Sequence, residues 1–139
     1  MSLHAVAHRV PGTLRQEIEI DGRHHVATDE PERLGGNGTA SSPHELLPAA
    51  LAGCISTHLA MYARTKGWLL GDLAVDVDYD HRATPRRFEI EIRLGAALGD
   101  EQLMRLRAVS AACPVRKALS GGAEFNERIL VGPDAQRAA

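Results

Sequence analysis

Two runs of strict alternation, close together in the chain, constrain the fold more than any other feature of this sequence. In the first, Leu73, Val75, Val77 and Tyr79 fall on one side, and Asp76, Asp78 and Asp80 on the other. In the second, Phe88, Ile90, Ile92 and Leu94 oppose Arg87, Glu89, Glu91 and Arg93. Side chains alternate faces along a strand, so each run has one face to bury and one that belongs in water. Joined by the short segment from His81 to Pro85, the runs form an antiparallel hairpin with a single apolar face. That face needs a second layer, and the flanking sequence supplies helices for it.

Ser42, followed by Pro43 and by Glu45 three residues on, marks a helix start: a cap, a proline at the first position and a capping-box glutamate. The helix predicted from there runs to about Lys66 and stops at Gly67. Pro48 inside it removes one backbone bond and predicts a kink in the first turns. Asp100 predicts the cap of a second helix, with an apolar stripe of Leu103, Leu106, Val109 and Cys113, ended by Gly121 and Gly122. Upstream, His4 to Arg9, Leu14 to Ile20 and Arg23 to Thr28 read as strands, the last two joined by the turn signal Asp21-Gly22. Glu124 to Val131 reads as a last short strand, and 133–139 as a frayed tail. The predicted order is β-β-β-α-β-β-α-β, an α+β fold of antiparallel sheet and helices in a single domain over 1–139.

Only 4% of the residues are aromatic. The core must rely on Leu, Val, Ile and Ala, which favours a core shared with a partner chain. A net charge of −2 gives no basic footprint for nucleic acid. The N-terminus lacks a charged-then-apolar signal pattern. The weakly polar stretch Leu46 to Ala63 is interrupted by Pro48, Ser56, Thr57 and His58. The expectation is a cytoplasmic protein with no membrane partner.

The two cysteines carry the chemistry. Cys54 lies in the small-residue stretch Ala49-Ala50-Leu51-Ala52-Gly53-Cys54, and Cys113 opens Cys113-Pro114-Val115. One cysteine in such a helix is ordinarily inert packing. A second, beside a proline at the end of another amphipathic helix, suggests a pair that meets in space and does thiol redox chemistry. There is no CxxC motif and no disulfide scaffold. His58, four residues after Cys54, shares its helix face. As a cation it would depress the thiol pKa; as a neutral base it would take the proton; as a structural histidine it would simply satisfy a nitrogen in the core or an interface.

The other histidines form no convincing metal set: His4 and His8 are far apart on a strand, and His24 and His25 point to opposite faces. Asp76, Asp78 and Asp80 read as the solvated side of a strand rather than a calcium loop. Gly35-Gly36-Asn37-Gly38 reads as a sharp turn into the long helix, since it follows no parallel strand and lacks a P-loop lysine. No metal or cofactor is expected.

In order along the chain, Asp29-Glu30-Pro31, Gly35-Gly36, Ser42-Pro43-His44-Glu45-Leu46-Leu47, Ala49-Ala50-Leu51-Ala52-Gly53-Cys54, Met61-Tyr62-Ala63, Lys66-Gly67-Trp68 and Cys113-Pro114-Val115 resemble the OsmC/Ohr family of osmotically inducible and organic hydroperoxide resistance proteins. The likeness covers roughly Arg23 to Leu130. It implies a thiol peroxidase built as an intertwined homodimer, with the reactive cysteine on a long central helix and the active site at the subunit interface. By that resemblance Cys54 is the peroxidatic cysteine and Cys113 the resolving one, and an external dithiol supplies electrons. It also implies a cation-lowered thiol pKa: in Ohr-type members an N-terminal arginine and an early-helix glutamate hold the thiolate. The family's glutamate position, ten residues before the cysteine, is His44 here, with Glu45 beside it. Arg15 or Arg9 takes the arginine role, with Arg15 and Glu45 assigned here. This departure places the chain nearer the OsmC-like branch than typical Ohr. Two rival readings keep the same fold: a non-catalytic binding module for an apolar ligand, and a reactive-thiol sensor of electrophiles.

Overall fold

The computed structural model describes residues 2–133. Residues 134–139, most of the predicted frayed tail, lie outside the described residues. The chain groups into two compact units, Met1–Leu46 with Glu124–Ala139, and Leu47–Ala123.

The first unit contains an antiparallel meander of β1 (Ala5–Arg9), β2 (Gln16–Ile20) and β3 (His24–Thr28). Its register sets Ala7 opposite Ile18 and Ile18 opposite Val26. Asp21 and Gly22 both take positive φ, 49° and 66°, as a type I′ hairpin turn requires. The second strand begins two residues later than its sequence predicts. Leu14 and Arg15 belong instead to the β1–β2 turn, where the Thr13 hydroxyl donates to Val10 O at 2.8 Å and accepts from Arg15 N at 3.0 Å.

The second unit holds the alternating hairpin. β4 (Leu73–Asp80) and β5 (Arg87–Leu94) pair antiparallel, with Val75 opposite Ile92, Val77 opposite Ile90 and Tyr79 opposite Phe88. Tyr79 and Phe88 stack with ring centroids 4.3 Å apart. The apolar faces of both strands pack on a core of Leu51, Ile55, Leu59, Ala63, Leu70, Leu106 and Cys113. Four of those residues come from α1 (Leu46–Lys66), spaced at helical intervals along one face. At its end Gly67 turns the chain at φ 71°, and Trp68 N donates to Ala63 O at 2.9 Å.

Pro48 does not interrupt this helix, which is continuous from Leu46 to Lys66. A separate 3₁₀ turn, Pro43–Glu45, precedes α1, so Pro48 is the third residue of the α-helix proper. The first turn of a helix has no intrahelical partner for its N–H groups, and a proline there removes nothing. The segment Pro43–Lys66 is also long and apolar enough, by length and composition, to cross a membrane. In this fold Leu51, Ile55, Leu59 and Ala63 are the centre of the unit's own core.

Two helices follow the hairpin. α2 (Asp100–Ala111) is capped by Gly99 rather than Asp100, with Gly99 N donating to Gln102 Oε1 at 2.9 Å. Its stripe is narrower than predicted: Leu106 and Ser110 are buried, and Leu103 stays 39% exposed. α3 (Pro114–Gly121) is an element the sequence reading ran together with α2. The last predicted strand is not formed. Glu124 to Val131 runs as irregular chain, with Phe125 90% and Val131 86% exposed. A strand needs a neighbour for its backbone groups, and this segment has none among the described residues.

Candidate active site

Cys54 and Cys113 meet in the second unit. Cys54 is half-buried on α1, next to Gly53 and one turn after Ala50. Cys113 is fully buried and stands at the junction of α2 and α3. The following proline pushes it out of helical geometry, to φ −56° and ψ 131°, which ends one helix and caps the next. Both cysteines are free thiols. Cys113 belongs to the buried cluster against which Cys54 packs, and the two thiols are close enough to interact electrostatically.

A third group reaches the same sulfur. With Pro114 at the first position of α3, the Val115 N–H has no partner within the helix, and it acts on the Cys54 sulfur as a donor that favours the thiolate. This donor was not anticipated from the sequence, although a proline after Cys113 is a usable sign of a helix start. Burial, and then the Cys113 thiol, push the Cys54 pKa above the ordinary thiol range, and the Val115 N–H only partly opposes them. The expectation of a lowered pKa is therefore corrected for the chain as it stands. A thiol set against another thiol in an apolar pocket favours its neutral form.

His58 also lies against Cys54. Its Nδ1 is 3.7 Å from Cys54 Sγ and 3.0 Å from the Cys54 carbonyl oxygen.

Arg15 and Glu45 belong to the first unit, where each is already engaged. Arg15 Nε donates to Glu17 Oε1 at 2.9 Å, and its Nη1 donates to Thr39 Oγ1 at 2.9 Å and to Thr39 O at 3.3 Å. Among the described residues the carboxylate that pairs with Arg15 is thus Glu17. Glu45 Oε1 accepts from Ser42 N and Ser42 Oγ, each at 3.0 Å, which holds its pKa below the usual glutamate value, the backbone donor contributing most. Arg9 sits exposed on β1 opposite Gln16. His44 lies in the 3₁₀ turn ahead of α1.

Asp29, absent from the expected site, organises the loop that holds Arg15. It is buried, and its carboxylate accepts from Thr39 Oγ1 at 2.7 Å, Thr39 N at 3.0 Å, Glu30 N at 2.8 Å and Asn37 N at 3.3 Å. The Thr39 hydroxyl, followed by the Thr39 N–H, lowers the Asp29 pKa to about 2 against the opposing effect of burial. The loop closes tightly enough that a Cβ on Gly36 would come within 1.9 Å of Glu30 O, so only glycine fits there. An aspartate at the head of a glycine-rich loop was the available signal. No group of three or more His, Cys, Asp or Glu among the described residues could hold a metal ion.

Comparison with known proteins places this geometry. The chain is 27% identical to a candidate osmotic stress induced and detoxification response protein from Psychrobacter arcticus, with a TM-score of 0.69 over 81% of this chain and 85% of that one. It shares the fold of the organic hydroperoxide resistance protein OsmC from Legionella pneumophila, at 23% identity and TM-score 0.59, over 87% of this chain and 90% of that one. It also shares that of OhrB of Bacillus subtilis, at 21% identity and TM-score 0.52, over 87% and 92%. No curated protein sequence matches it. The model of the family described as OsmC-like protein matches residues 36–128, most of the chain and both cysteines. This chain belongs to the OsmC-like family.

Proposed function

We propose that this protein is a cysteine-based thiol peroxidase that reduces organic hydroperoxides in the cytoplasm, where thiols are kept reduced. The observation that carries the proposal is that Cys54 packs against the buried cluster that contains Cys113. In the proposed cycle the Cys54 thiolate attacks the peroxide O–O bond. The sulfur takes one oxygen as sulfenic acid, and the other leaves, with a proton, as an alcohol. The Cys113 thiol then displaces that hydroxyl as water and forms a Cys54–Cys113 disulfide. An external dithiol reduces the disulfide and is itself oxidised. Arg15 is the guanidinium we assign to thiolate stabilisation, and Glu45 the carboxylate that fixes the start of the helix carrying Cys54. Solved structures of this fold titled organic hydroperoxide resistance proteins support the substrate class.

The reading includes a homodimer. α1 is apolar nearly all round, yet Met61, away from the buried stripe, is 56% exposed. A second copy of the chain is the cover we propose for that face, and the source of the strand neighbour that Glu124 to Val131 lacks.

The raised Cys54 pKa favours a second reading, a binding module for an apolar ligand whose cysteines do not turn over. One experiment separates the two. Wild-type protein and Cys54→Ser are assayed for hydroperoxide consumption with excess dithiol, and the wild type is peptide-mapped after one equivalent of peroxide. The peroxidase reading expects turnover that requires Cys54 and an intramolecular Cys54–Cys113 bridge. Absence of turnover in the wild type, or undiminished turnover in Cys54→Ser, rejects it.

A further inference from the structure

We infer that His58, in addition to the arginine assigned above, stabilises Cys54 as a thiolate by donating from Nδ1. The inference deepens the peroxidase reading, because it rests on Cys54 being the attacking thiol.

A backbone oxygen can only accept, so the 3.0 Å contact between His58 Nδ1 and Cys54 O is a hydrogen bond only when Nδ1 carries hydrogen. That excludes the neutral tautomer protonated on Nε2 alone. It also removes one of the roles open from sequence: Nδ1 cannot take the thiol proton, because it already holds one. The same N–H lies 3.7 Å from Cys54 Sγ, within range of a shared bond to sulfur. The ring is therefore pinned by its own helix, one turn after the cysteine, with a donor set between the carbonyl and the sulfur.

The sulfur needs such a donor. Burial and the Cys113 thiol disfavour the thiolate, and the Val115 N–H answers them only in part. A donor that strengthens its bond when charge appears on sulfur acts on the thiolate and little on the thiol. Nδ1–H is present in both the neutral ring and the imidazolium, so it serves in either state. The titratable groups that face Cys54 are His58 from α1 and Cys113 from the α2–α3 junction.

The test reads the thiol and never uses peroxide, so it stands whether or not the protein is a peroxidase. It is made in the single-thiol background Cys113→Ser, with His58→Phe and His58→Asn added in turn. Asn places an N–H close to the position of Nδ1 but carries no charge. Iodoacetamide alkylation of Cys54 at neutral pH and thiolate ultraviolet absorbance against pH are measured. His58→Phe is expected to slow alkylation about tenfold and to move the titration midpoint up by about one unit. His58→Asn is expected to recover most of the loss. Unchanged values in His58→Phe, or no recovery in His58→Asn, overturn the inference. A second measurement needs no variant. The imidazole nitrogen–proton correlation spectrum of the reduced protein should show His58 protonated on Nδ1, with its resonance moving when Cys54 is alkylated. A ring protonated on Nε2 alone overturns the assignment even where the variants fail to fold.

Discussion

The hydroxyl of Thr39 accepts from Arg15 Nη1 at 2.9 Å while donating to the buried carboxylate of Asp29 at 2.7 Å. The arginine assigned to thiolate stabilisation is thus not a free surface cation. It rests on a loop whose shape is set by one carboxylate. Arg15→Ala should slow the first oxidation of Cys54 by tenfold or more, about 1.4 kcal/mol of barrier. Thr39→Val keeps the side-chain shape and removes the shared hydroxyl, so it should slow the same step by a smaller factor. Rapid mixing of reduced protein with an organic hydroperoxide measures both. Equal rates in wild type and Arg15→Ala would move the role to Arg9.

The same carboxylate gives the protein an acid limit. Asp29 has a depressed folded-state pKa of about 2, from its bonds to Thr39, Glu30 and Asn37. A group of this kind contributes stability above the ordinary aspartate pKa, near 3.9, and that contribution is lost as pH falls through the folded value. Thermal midpoints should therefore drop between about pH 4 and pH 2. In Asp29→Asn the midpoint should start lower at neutral pH and lose less across that window. A wild-type curve flat over the same range would remove Asp29 from this role.

Cys113 raises the Cys54 pKa, so removing it has two opposite effects. In Cys113→Ala the thiolate of Cys54 should form at lower pH and alkylate faster than in the wild type. Peroxide turnover should nonetheless fail after the first cycle, with Cys54 passing on to sulfinic acid for want of a resolving thiol. Intact-mass spectrometry after stepwise peroxide addition follows the two oxygen increments. Sustained turnover in this variant would show that Cys113 is not the resolving thiol.

The buried side of α1 is the centre of its unit, and Leu59 is 0% exposed there. Leu59→Ala should cost about 2–5 kcal/mol of unfolding free energy, the range for a cavity in a packed core. Denaturant unfolding followed by circular dichroism reads it. A loss below about 1 kcal/mol would mean that the site collapses or is packed less tightly than the fold implies.

Legibility in the sequence followed the strength of the local signal. The β4–β5 pairing could be read residue by residue, because one face of each strand is apolar and a slip of one residue would invert both. The position of α1 followed from Ser42, Pro43 and Gly67. The conjunction of the two sulfurs was suggested by Pro114 beside Cys113. What could not be read depends on three-dimensional neighbours. Pro48 looks like a helix breaker until the separate 3₁₀ turn ahead of α1 is known. The sign of the Cys54 shift depends on burial and on Cys113, which lies far away in sequence. Glu45 stands one residue away from the family's glutamate position, which His44 takes, and its carboxylate is occupied by Ser42. The predicted final strand has apolar residues at Phe125, Ile129 and Val131, yet apolar side chains do not supply an edge to pair with.

That last segment yields the sharpest test of the proposed dimer. Phe125, Ile129 and Val131 are 90%, 82% and 86% exposed, and Met61 on the uncovered face of α1 is 56% exposed. Under the dimer proposal, the exposed apolar side chains of each unit are contact surface rather than solvated surface. If a second copy of the chain covers them, the full-length protein should sediment as a dimer at micromolar concentration, and the interface should bury more than about 2,000 Å². A chain ending at Gly122 should lose the dimer, and its thermal midpoint should fall with it, because fold and association would be one equilibrium. Met61→Lys, which places a charge on the helix face and leaves the final segment intact, should weaken the dimer independently. A stable folded monomer in the full-length protein would reject the shared core, and would leave the exposed Phe125, Ile129 and Val131 without the cover proposed for them.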